Sequence, residues 1–325
     1  MTPTPTPLRV PAVTAGSRVL AFGDYRPARV LTNLDIEKMV ETDDEWIRSR
    51  VGIQERRIAG DDEGIVELAV QAGGKALAAS GLTTDDIDLV ILATCSAESP
   101  MPNHAAQVAH KLGIQAPGAY DLNAACAGFC YALAAADAAI RTGQARNVLV
   151  VGSEKMSQWL DWTDRATCII FADGAGAAIV GPAEAPGVGP VVWGSDGAQY
   201  DKIIIDDRHS FIRQEGQAVF RWATTAIAPV ALQACERAGI SPDELAAVVP
   251  HQANLRIVRA IARAVKATNA VVAEDIVHSG NTSGASIPLA LSRMIERGDV
   301  PSGAPALLIG FGAGLAYAAQ VIQIP

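Results

Sequence analysis

The chain has 325 residues, 50% of them hydrophobic and 5% aromatic, and its formal net charge at pH 7 is −9. This apolar fraction is enough for a large core, and the negative charge argues against nucleic acid as a general partner. The sequence has no uninterrupted apolar run of about 18 residues, and its N-terminus lacks a charged segment followed by an apolar one. We therefore expect no membrane span, no membrane partner and no secretory signal peptide.

The cysteines indicate a cytoplasmic protein without a metal site. They number five, at positions 95, 126, 130, 168 and 235, and an odd count in a long chain favours reduced thiols over a disulfide scaffold. Cys126 and Cys130 are one helical turn apart, but two thiols alone do not make a zinc site. We expect neither a metal nor a cofactor. The opening residues, 1–15 with the repeat TPTPTP, predict a disordered or extended tail.

An internal repeat predicts two related halves, 16–184 and 185–325. ASGLTTDDIDLVILAT, at 79–94, is similar to RAGISPDELAAVVPHQ, at 237–252, with Gly239 lying 158 residues after Gly81. The helical segments that end at Gly143 and Gly298 repeat at an offset of 155, which pairs Cys126 with Asn281. Each half alternates helices and strands, a pattern typical of a mostly parallel sheet covered on both faces.

Cys126 is the first candidate for chemistry. GAYDL, at 118–122, predicts a strand, and AGFCYALAAADAAIRT, at 127–142, predicts a helix, so the thiol lies at the helix start. Free backbone N–H groups and the helix dipole at that end favour the thiolate that a nucleophilic cysteine requires. Position alone leaves a second interpretation open, that of a small buried hydrophobic residue.

Two further polar residues occupy similar positions. His251 follows the buried strand predicted in AAVVPHQ and stands at the start of another helix, and Asn281 precedes the helix after HSGNTSGAS. A hydrogen-bonded core histidine and an ordinary N-cap are the alternatives. Together the three residues place a thiol, an imidazole and a carboxamide at the C-terminal ends of strands, where open α/β sheets form their sites.

In this order and spacing, AACAGFCYAL, PHQANLRI and GNTSGAS resemble the β-ketoacyl-acyl carrier protein synthase III family of the thiolase superfamily. LTNLDIEKMVETDDEWIRSRVGIQERRI, TDRAT, FADGAGAAIV and FGAGLAYAA extend the resemblance over essentially the whole chain after the first fifteen or so residues. The resemblance implies a five-layered αβαβα thiolase fold with two pseudo-twofold-related halves, and a homodimer. It also implies the first condensation of fatty acid synthesis.

The resemblance implies a role for each candidate. Cys126 would attack an acyl-coenzyme A (acyl-CoA) starter and hold the acyl group. Malonyl-acyl carrier protein would then lose carbon dioxide, with His251 and Asn281 donating hydrogen bonds to the enolate oxygen. Attack on the acyl-cysteine would give 3-oxoacyl-acyl carrier protein, with the backbone N–H groups of Cys126 and Ala313 as the oxyanion hole.

The resemblance also implies binding residues for CoA. Trp46 would stack on adenine opposite Arg165, with Arg50 and Thr42 as further contacts. Asn254 and Phe220 match positions along the pantetheine tunnel. A core anchor is the plain alternative for a tryptophan.

Two surfaces are assigned to partners. Arg256, Arg259, Arg263 and Lys266 fall on one helix face, which we interpret as a docking stripe for the acidic acyl carrier protein, with a solvated helix surface as the alternative. In the family dimer, the loop 96–107 reaches the partner's acyl pocket. Met101 lies near the gating position there, and its flexibility suggests starters larger than acetyl.

Departures from the family pattern leave the starter open more than the reaction. They are Asn123, Val51, Ser279 and Gly284. FADGAGAAIV lacks a Walker lysine, so we interpret it as a turn between core strands and not as a phosphate loop. A relative from secondary metabolism that primes a polyketide synthase, or transfers acyl groups to a hydroxyl or amine, remains an alternative. So does a non-catalytic partner subunit, against which Cys126 argues.

Overall fold

The computed structural model describes residues 13–325. The predicted tail, 1–15, therefore lies almost entirely outside the described residues. The strands are β1 (Gly16–Tyr25), β2 (Arg29–Thr32), β3 (Glu55–Ile58), β4 (Leu89–Ala93), β5 (Gly118–Leu122), β6 (Val148–Lys155), β7 (Asp173–Ala183), β8 (Val192–Ser195), β9 (Ile203–Ile204), β10 (Arg213–Gln214), β11 (Ala247–Pro250), β12 (Val271–Val272), β13 (Pro305–Gly312) and β14 (Ala316–Gln323). The helices are α1 (Asn33–Ile36), α2 (Asp44–Val51), α3 (Ile65–Ser80), α4 (His104–Leu112), α5 (Gly128–Arg141), α6 (Arg165–Cys168), α7 (Gly216–Ala238), α8 (Leu255–Val265), α9 (Ile276–Ser279) and α10 (Ser286–Glu296).

Two five-stranded sheets repeat one topology. The first has the order β1-β7-β6-β4-β5, and the second, written in the matching direction, has the order β8-β14-β13-β11-β12. In each sheet the first two junctions are antiparallel and the last two are parallel. Four strands of each sheet therefore run in the same direction and only β7 or β14 opposes them, which agrees with the predicted mostly parallel sheet. A short hairpin turns the chain from β13 into the opposing strand β14.

The sheets and helices form five layers, which confirms the predicted αβαβα thiolase-like fold. Helices α5 and α10 lie between the sheets, where Phe129, Leu133, Leu291 and residues of both sheets form one buried cluster. Helices α3 and α4 cover the outer face of the first sheet, and α7 and α8 cover that of the second. The proposed boundary between 184 and 185 falls after β7 and stays a prediction.

The structural offset between the halves at the central helices is 158. In both halves a 3₁₀ turn, Ala125–Ala127 or Ser283–Ala285, leads directly into the central helix. The counterpart of Cys126 is thus Gly284, and the counterpart of Asn281 is Asn123. Pairing Cys126 with Asn281 was wrong because α5 has 14 residues and α10 has 11, so their C-terminal glycines are out of register by one turn.

FADGAGAAIV is not a turn. Its residues from Asp173 onward open the long buried strand β7 between β1 and β6. The glycines permit close packing against the central layer, since a Cβ at Gly176 would lie 2.3 Å from the backbone nitrogen of Leu289. None of the helices in 13–325 is both long and apolar enough to cross a membrane.

Candidate active site

The turn before α5 positions Cys126. Ala125 adopts a left-handed conformation, with φ 45°, which costs a residue with a side chain about 1–2 kcal/mol. The side-chain oxygen of Asn123 accepts a hydrogen bond from the Ala125 N–H at 3.1 Å and helps to hold this turn. The chain leaves β5 and presents Cys126 directly ahead of the first turn of α5.

Cys126, His251 and Asn281 line one cavity of about 290 Å³. They come from the C-terminal ends of β5 and β11 and from the turn before α10. His251 follows β11 directly, but α8 begins only at Leu255, so His251 lies in the connecting loop and not at the helix start. The structure thus gathers the three predicted residues, and their roles stay predictions.

Burial dominates the ionisation of the Cys126 thiol. It raises the pKa to about 11, and the charge of Glu154 adds to the rise, while a hydrogen bond with Ser283 and the backbone N–H groups of Cys126 and Ala313 lower it. The expected preference for thiolate is therefore wrong for the cavity without substrate. Removing the thiolate from water outweighs the N–H groups at the helix start, because the cavity walls come from distant segments.

A chain of polar side chains leads away from the Cys126 sulfur. Its Sγ lies 3.4 Å from Ser283 Oγ, which lies 3.2 Å from Cys95 Sγ. The Cys95 thiol donates to Glu154 Oε1 at 3.3 Å. Glu154 is fully buried, and burial raises its pKa.

The His251 ring is buried and neutral. Burial lowers its pKa to about 3, and its edge packs against Phe311, with the ring centroids 5.3 Å apart. Nδ1 lies 2.7 Å from Ser286 Oγ, which also accepts the Gln252 N–H at 3.3 Å. A Ser286 O–H that donates to Nδ1 leaves the proton of the neutral ring on Nε2, which can then donate a hydrogen bond.

Asn281 is held by its backbone and its side chain. Its N–H donates to Ile170 O at 3.0 Å, and its carbonyl accepts the Ala172 N–H at 2.9 Å. Its Oδ1 accepts the Ser283 N–H at 2.9 Å. Because Oδ1 is engaged, the Nδ2 group is the part of the amide that can donate to a ligand.

The FGAG turn closes the cavity around the thiol. A Cβ on Gly312 would lie 2.9 Å from Cys126 Sγ and 2.7 Å from Cys126 Cβ, so only glycine fits there. The next residue, Ala313, brings its backbone N–H to the sulfur. This places the two predicted oxyanion-hole N–H groups, those of Cys126 and Ala313, beside the same atom.

The Arg165 side chain occupies the space over Trp46 that was proposed for adenine. The Arg165 Cζ lies 4.7 Å from the centre of the Trp46 ring, and the Arg50 Cζ lies 5.8 Å from it. The Arg165 side chain also donates to Glu41 O at 2.8 Å. A base cannot enter between Trp46 and Arg165 at this separation, so stacking requires Arg165 to move.

The other predicted CoA residues differ in their surroundings. Asn254 caps α8 by accepting the Arg256 N–H at 2.9 Å, and it donates to Arg50 O at 3.1 Å. Asn254 and Phe220 line the cavity. The Thr42 hydroxyl is buried and has no hydrogen-bond partner within 13–325.

The docking stripe is exposed along α8, but its members differ. Arg263 and Lys266 are exposed, whereas Arg259 forms two hydrogen bonds to Glu274, at 2.7 and 2.8 Å. The Arg256 Cζ lies 5.0 Å from the centre of the Phe220 ring, at the cavity. Arg263 and Lys266 are therefore the members free of both the ion pair and the cavity wall.

Met101 does not reach the cavity of its own chain. Its side chain is 81% exposed, and it does not line the cavity. One part of the apolar wall is formed by residues that share a small hydrophobic cluster. These are Met156, Ile170, Phe171, Ile203, Ile205 and Ile212.

Four polar side chains around the cavity residues were not predicted from the sequence. Glu154 was visible as an acid directly after an apolar strand, at the sheet edge where the other candidates lie. Ser283 and Ser286 belong to the quoted GNTSGAS motif and its end. Cys95 carried no signal apart from its place after β4.

Comparisons with known proteins agree over most of the chain. The family model described as 3-Oxoacyl-[acyl-carrier-protein (ACP)] synthase III matches residues 120–197, and its C-terminal counterpart matches 235–324. Beta-ketoacyl-[acyl-carrier-protein] synthase III 4 of Streptomyces coelicolor is 58% identical over 95% of this chain and 99% of its own.

Solved structures give the same result. The priming β-ketosynthase from the R1128 polyketide biosynthetic pathway has a TM-score of 0.95 and 43% identity, covering 98% of each chain. The 3-oxoacyl-[acyl-carrier-protein] synthase III from Aquifex aeolicus has a TM-score of 0.90 and 40% identity, covering 95% of this chain and 100% of that one.

Fold and relatives together define an acyltransferase-type condensing enzyme of the thiolase superfamily. More particularly, the chain belongs to the β-ketoacyl-[acyl-carrier-protein] synthase III family. The resemblance drawn from the sequence motifs is confirmed.

Proposed function

We propose that the protein joins an acyl-CoA starter to malonyl-acyl carrier protein by decarboxylative Claisen condensation. The products are 3-oxoacyl-acyl carrier protein, CoA and carbon dioxide. The observation that carries the proposal is the single cavity lined by Cys126, His251 and Asn281, with the Ala313 N–H at the sulfur.

In the first half-reaction, Cys126 Sγ attacks the thioester carbonyl. The carbonyl oxygen becomes an oxyanion, and the N–H groups of Cys126 and Ala313 are placed to stabilise it. CoA leaves, and the acyl group stays on sulfur. The apolar wall around Phe171 and Ile212 supports an apolar starter chain.

In the second half-reaction, the malonyl thioester loses carbon dioxide and becomes an enolate. His251 Nε2–H and Asn281 Nδ2 can donate to its oxygen, and the low pKa of the buried imidazole keeps it a neutral donor. The enolate carbon then attacks the Cys126 thioester, and the carbon–sulfur bond breaks to regenerate the thiol. Simple acyl transfer to a hydroxyl or amine forms no enolate and would not need these two donors.

The same proposal includes a homodimer that works in the cytoplasm with free thiols. β5 is the edge strand of its sheet, and Met101 is exposed beyond its own cavity. Both features suit a second copy that receives Met101 at its acyl pocket. The mass of the assembly in solution tests this part directly.

A second candidate is starter-unit priming of a polyketide synthase. The 43% identity and TM-score of 0.95 to the R1128 priming ketosynthase favour it. The chemistry is the same, and the two candidates differ in starter and carrier protein. Comparing fatty acid and polyketide carrier proteins, each charged with malonate, separates them by rate.

The test is to incubate the protein with acetyl-, isobutyryl-, isovaleryl- and longer acyl-CoA, and to record intact mass for the wild type and Cys126→Ala. We expect an acyl adduct that is absent from the variant, and a 3-oxoacyl product when malonyl-acyl carrier protein follows. Folded protein that forms no adduct with any thioester would reject acyl-CoA as the donor. A strong preference for acetyl-CoA would reject the larger starter inferred from Met101.

A further inference from the structure

Backbone N–H groups and hydroxyl groups surround the Glu154 carboxyl group. Its carboxylate accepts backbone N–H groups of Cys95, Ser96 and Gly284 and the hydroxyl groups of Thr94 and Ser96. Backbone N–H groups can only donate, and Ser96 Oγ already accepts the Lys155 N–H. Hydrogen bonds from donors placed in this way stabilise the carboxylate form, which can accept a proton.

The Cys95 thiol and the Ser283 hydroxyl extend these hydrogen bonds from Glu154 to Cys126. The Cys95 thiol spends its one proton on Glu154, so its sulfur can only accept from Ser283. The Ser283 hydroxyl can donate its proton to Cys95 or to Cys126. When it donates to Cys95, its oxygen can accept from the Cys126 thiol, and every bond of the chain then points toward Glu154.

We propose that Ser283, Cys95 and Glu154 form a proton relay that deprotonates Cys126 as it attacks the acyl thioester. Ser283 touches the reacting sulfur and is a catalytic residue in this scheme. Cys95 and Glu154 act through it and set the direction and end point of the relay. The inference rests on the proposed function, because it concerns the acylation half-reaction.

The step balances in atoms and charge. The Cys126 S–H bond breaks as sulfur bonds to the carbonyl carbon, and its proton moves to Ser283 Oγ. The Ser283 proton moves to Cys95 Sγ, and the Cys95 proton moves to Glu154. The bond from carbon to the CoA sulfur breaks, and CoA leaves as a thiolate. The proton then returns from Glu154 through Cys95 and Ser283 to that thiolate, which restores the carboxylate.

The relay accounts for the high pKa of the Cys126 thiol and for the buried Glu154 carboxyl group, which the triad leaves unexplained. A thiol whose pKa is about 11 needs an acceptor for its proton, and His251 already has its Nδ1 engaged with Ser286 and a strongly lowered pKa. The raised pKa of Glu154 makes it a stronger base than an exposed carboxylate. Gly284 lets the main chain approach, since a Cβ there would lie 3.0 Å from Glu154 Oε1.

The test breaks and restores the middle of the relay. Cys95→Val fills the same space with no transferable proton, and Cys95→Ser restores one. Rapid-quench mass spectrometry measures single-turnover acylation by the best-loading acyl-CoA. General acid–base catalysis is worth at least about a hundredfold, so we expect Cys95→Val to slow acylation by about that factor and Cys95→Ser to stay within about threefold of the wild type.

Controls separate the relay from simple disruption. Once long incubation has loaded each variant, condensation with malonyl-acyl carrier protein should run at the wild-type rate, because the relay acts before that step. Ser283→Ala should slow acylation as Cys95→Val does. Cys235→Ala removes a buried thiol of α7 outside the cavity and should change neither rate.

The proposal is overturned if Cys95→Val acylates as fast as the wild type, or if Cys95→Ser is as slow as Cys95→Val. Alkylation of Cys126 by iodoacetamide, followed by peptide mapping, gives the same comparison without any thioester. Wild-type protein that resists every acyl-CoA would therefore reject the proposed function while the alkylation rates still decide the relay.

Discussion

Ala125 and Ser283 lie 158 residues apart and share one conformation, with φ 45° and 47°. Each is held by an asparagine two residues earlier, Asn123 or Asn281, whose side chain accepts its N–H. The two halves thus have the same braced turn before their central helices. One turn presents Cys126, and the other presents Gly284 together with the Ser283 hydroxyl that the thiol contacts.

Asn123 is expected to support the position of the nucleophile. Asn123→Ala removes the bond to the Ala125 N–H, and such bonds contribute about 0.5–1.5 kcal/mol. We expect Cys126 alkylation by iodoacetamide to slow by several-fold, with a loss of stability of about 1 kcal/mol in urea denaturation. Asn123→Asp keeps the accepting oxygen and should behave like the wild type. Equal alkylation rates in all three proteins would rule out the brace.

Gly312 is expected to tolerate no side chain. Gly312→Ala would place Cβ 2.9 Å from Cys126 Sγ, so the thiol must shift from the position beside the Ala313 N–H. Intact mass should show little or no acyl adduct. The control is Gly197→Ala, where a Cβ would have open space around it. Normal acylation in folded Gly312→Ala would contradict the described geometry.

Carrier-protein docking is expected to depend on the outer end of α8. The double variant Arg263→Glu, Lys266→Glu should weaken use of malonyl-acyl carrier protein by about tenfold or more at low salt. Acylation by acyl-CoA should not change, because neither residue lines the cavity. Arg146→Glu, an exposed reversal just before the N-terminal end of β6, is the control. Equal loss of both half-reactions would reject the stripe as a docking surface.

His251 is expected to make stability depend on acidity. Its pKa falls from 6.5 in the unfolded chain to about 3 in the fold, so below pH 6.5 the unfolded state binds the proton first. Stability is therefore lost as the pH falls from about 6.5 toward 3, at up to about 1.4 kcal/mol per pH unit. Urea denaturation of His251→Gln should show a flatter profile in this window. Parallel profiles for the two proteins would mean that the imidazole is not buried as a neutral ring.

Gln320 is expected to destabilise the core. It is fully buried in β14, and neither polar atom of its amide has a hydrogen-bond partner among the residues from 13 onward. Gln320→Met keeps the length and removes the unpaired groups, so we expect a gain of about 1–2 kcal/mol in the free energy of unfolding. Chemical denaturation measures it, and Gln233→Met on α7, whose side chain is exposed, controls for the substitution type. A loss of stability would show that the amide is satisfied.

Local sequence patterns predicted the structural features that depend on a single segment of the chain. The predicted strand at 118–122 has the bounds of β5, because the turn residues that follow it end the strand. The start of α5 just after Cys126 was predicted from the same change from a strand pattern to a helix pattern. The fold was predicted from several motifs spread along the chain, and the structure confirms it.

Features that depend on distant segments could not be predicted in the same way. The ionisation of Cys126 depends on walls from β9, β10 and α7, which no local pattern near the cysteine reveals. The repeat offset was misjudged at Gly143 and Gly298 because helix length varies at the outer end while the turn at the cavity is kept. Cys95 and Glu154 meet only because β4 and β6 are neighbours in the sheet.

The stacking of Arg165 on Trp46 gives the two substrates different requirements for entry. If Trp46 holds adenine as proposed, acyl-CoA must first displace the guanidinium from the ring and break its bond to Glu41 O. A carrier protein delivers its thioester on a pantetheine arm without a nucleotide, and it can enter while Arg165 stays in place. The arginine would then act as a latch that only the first substrate has to open, and it would close again behind the departing CoA.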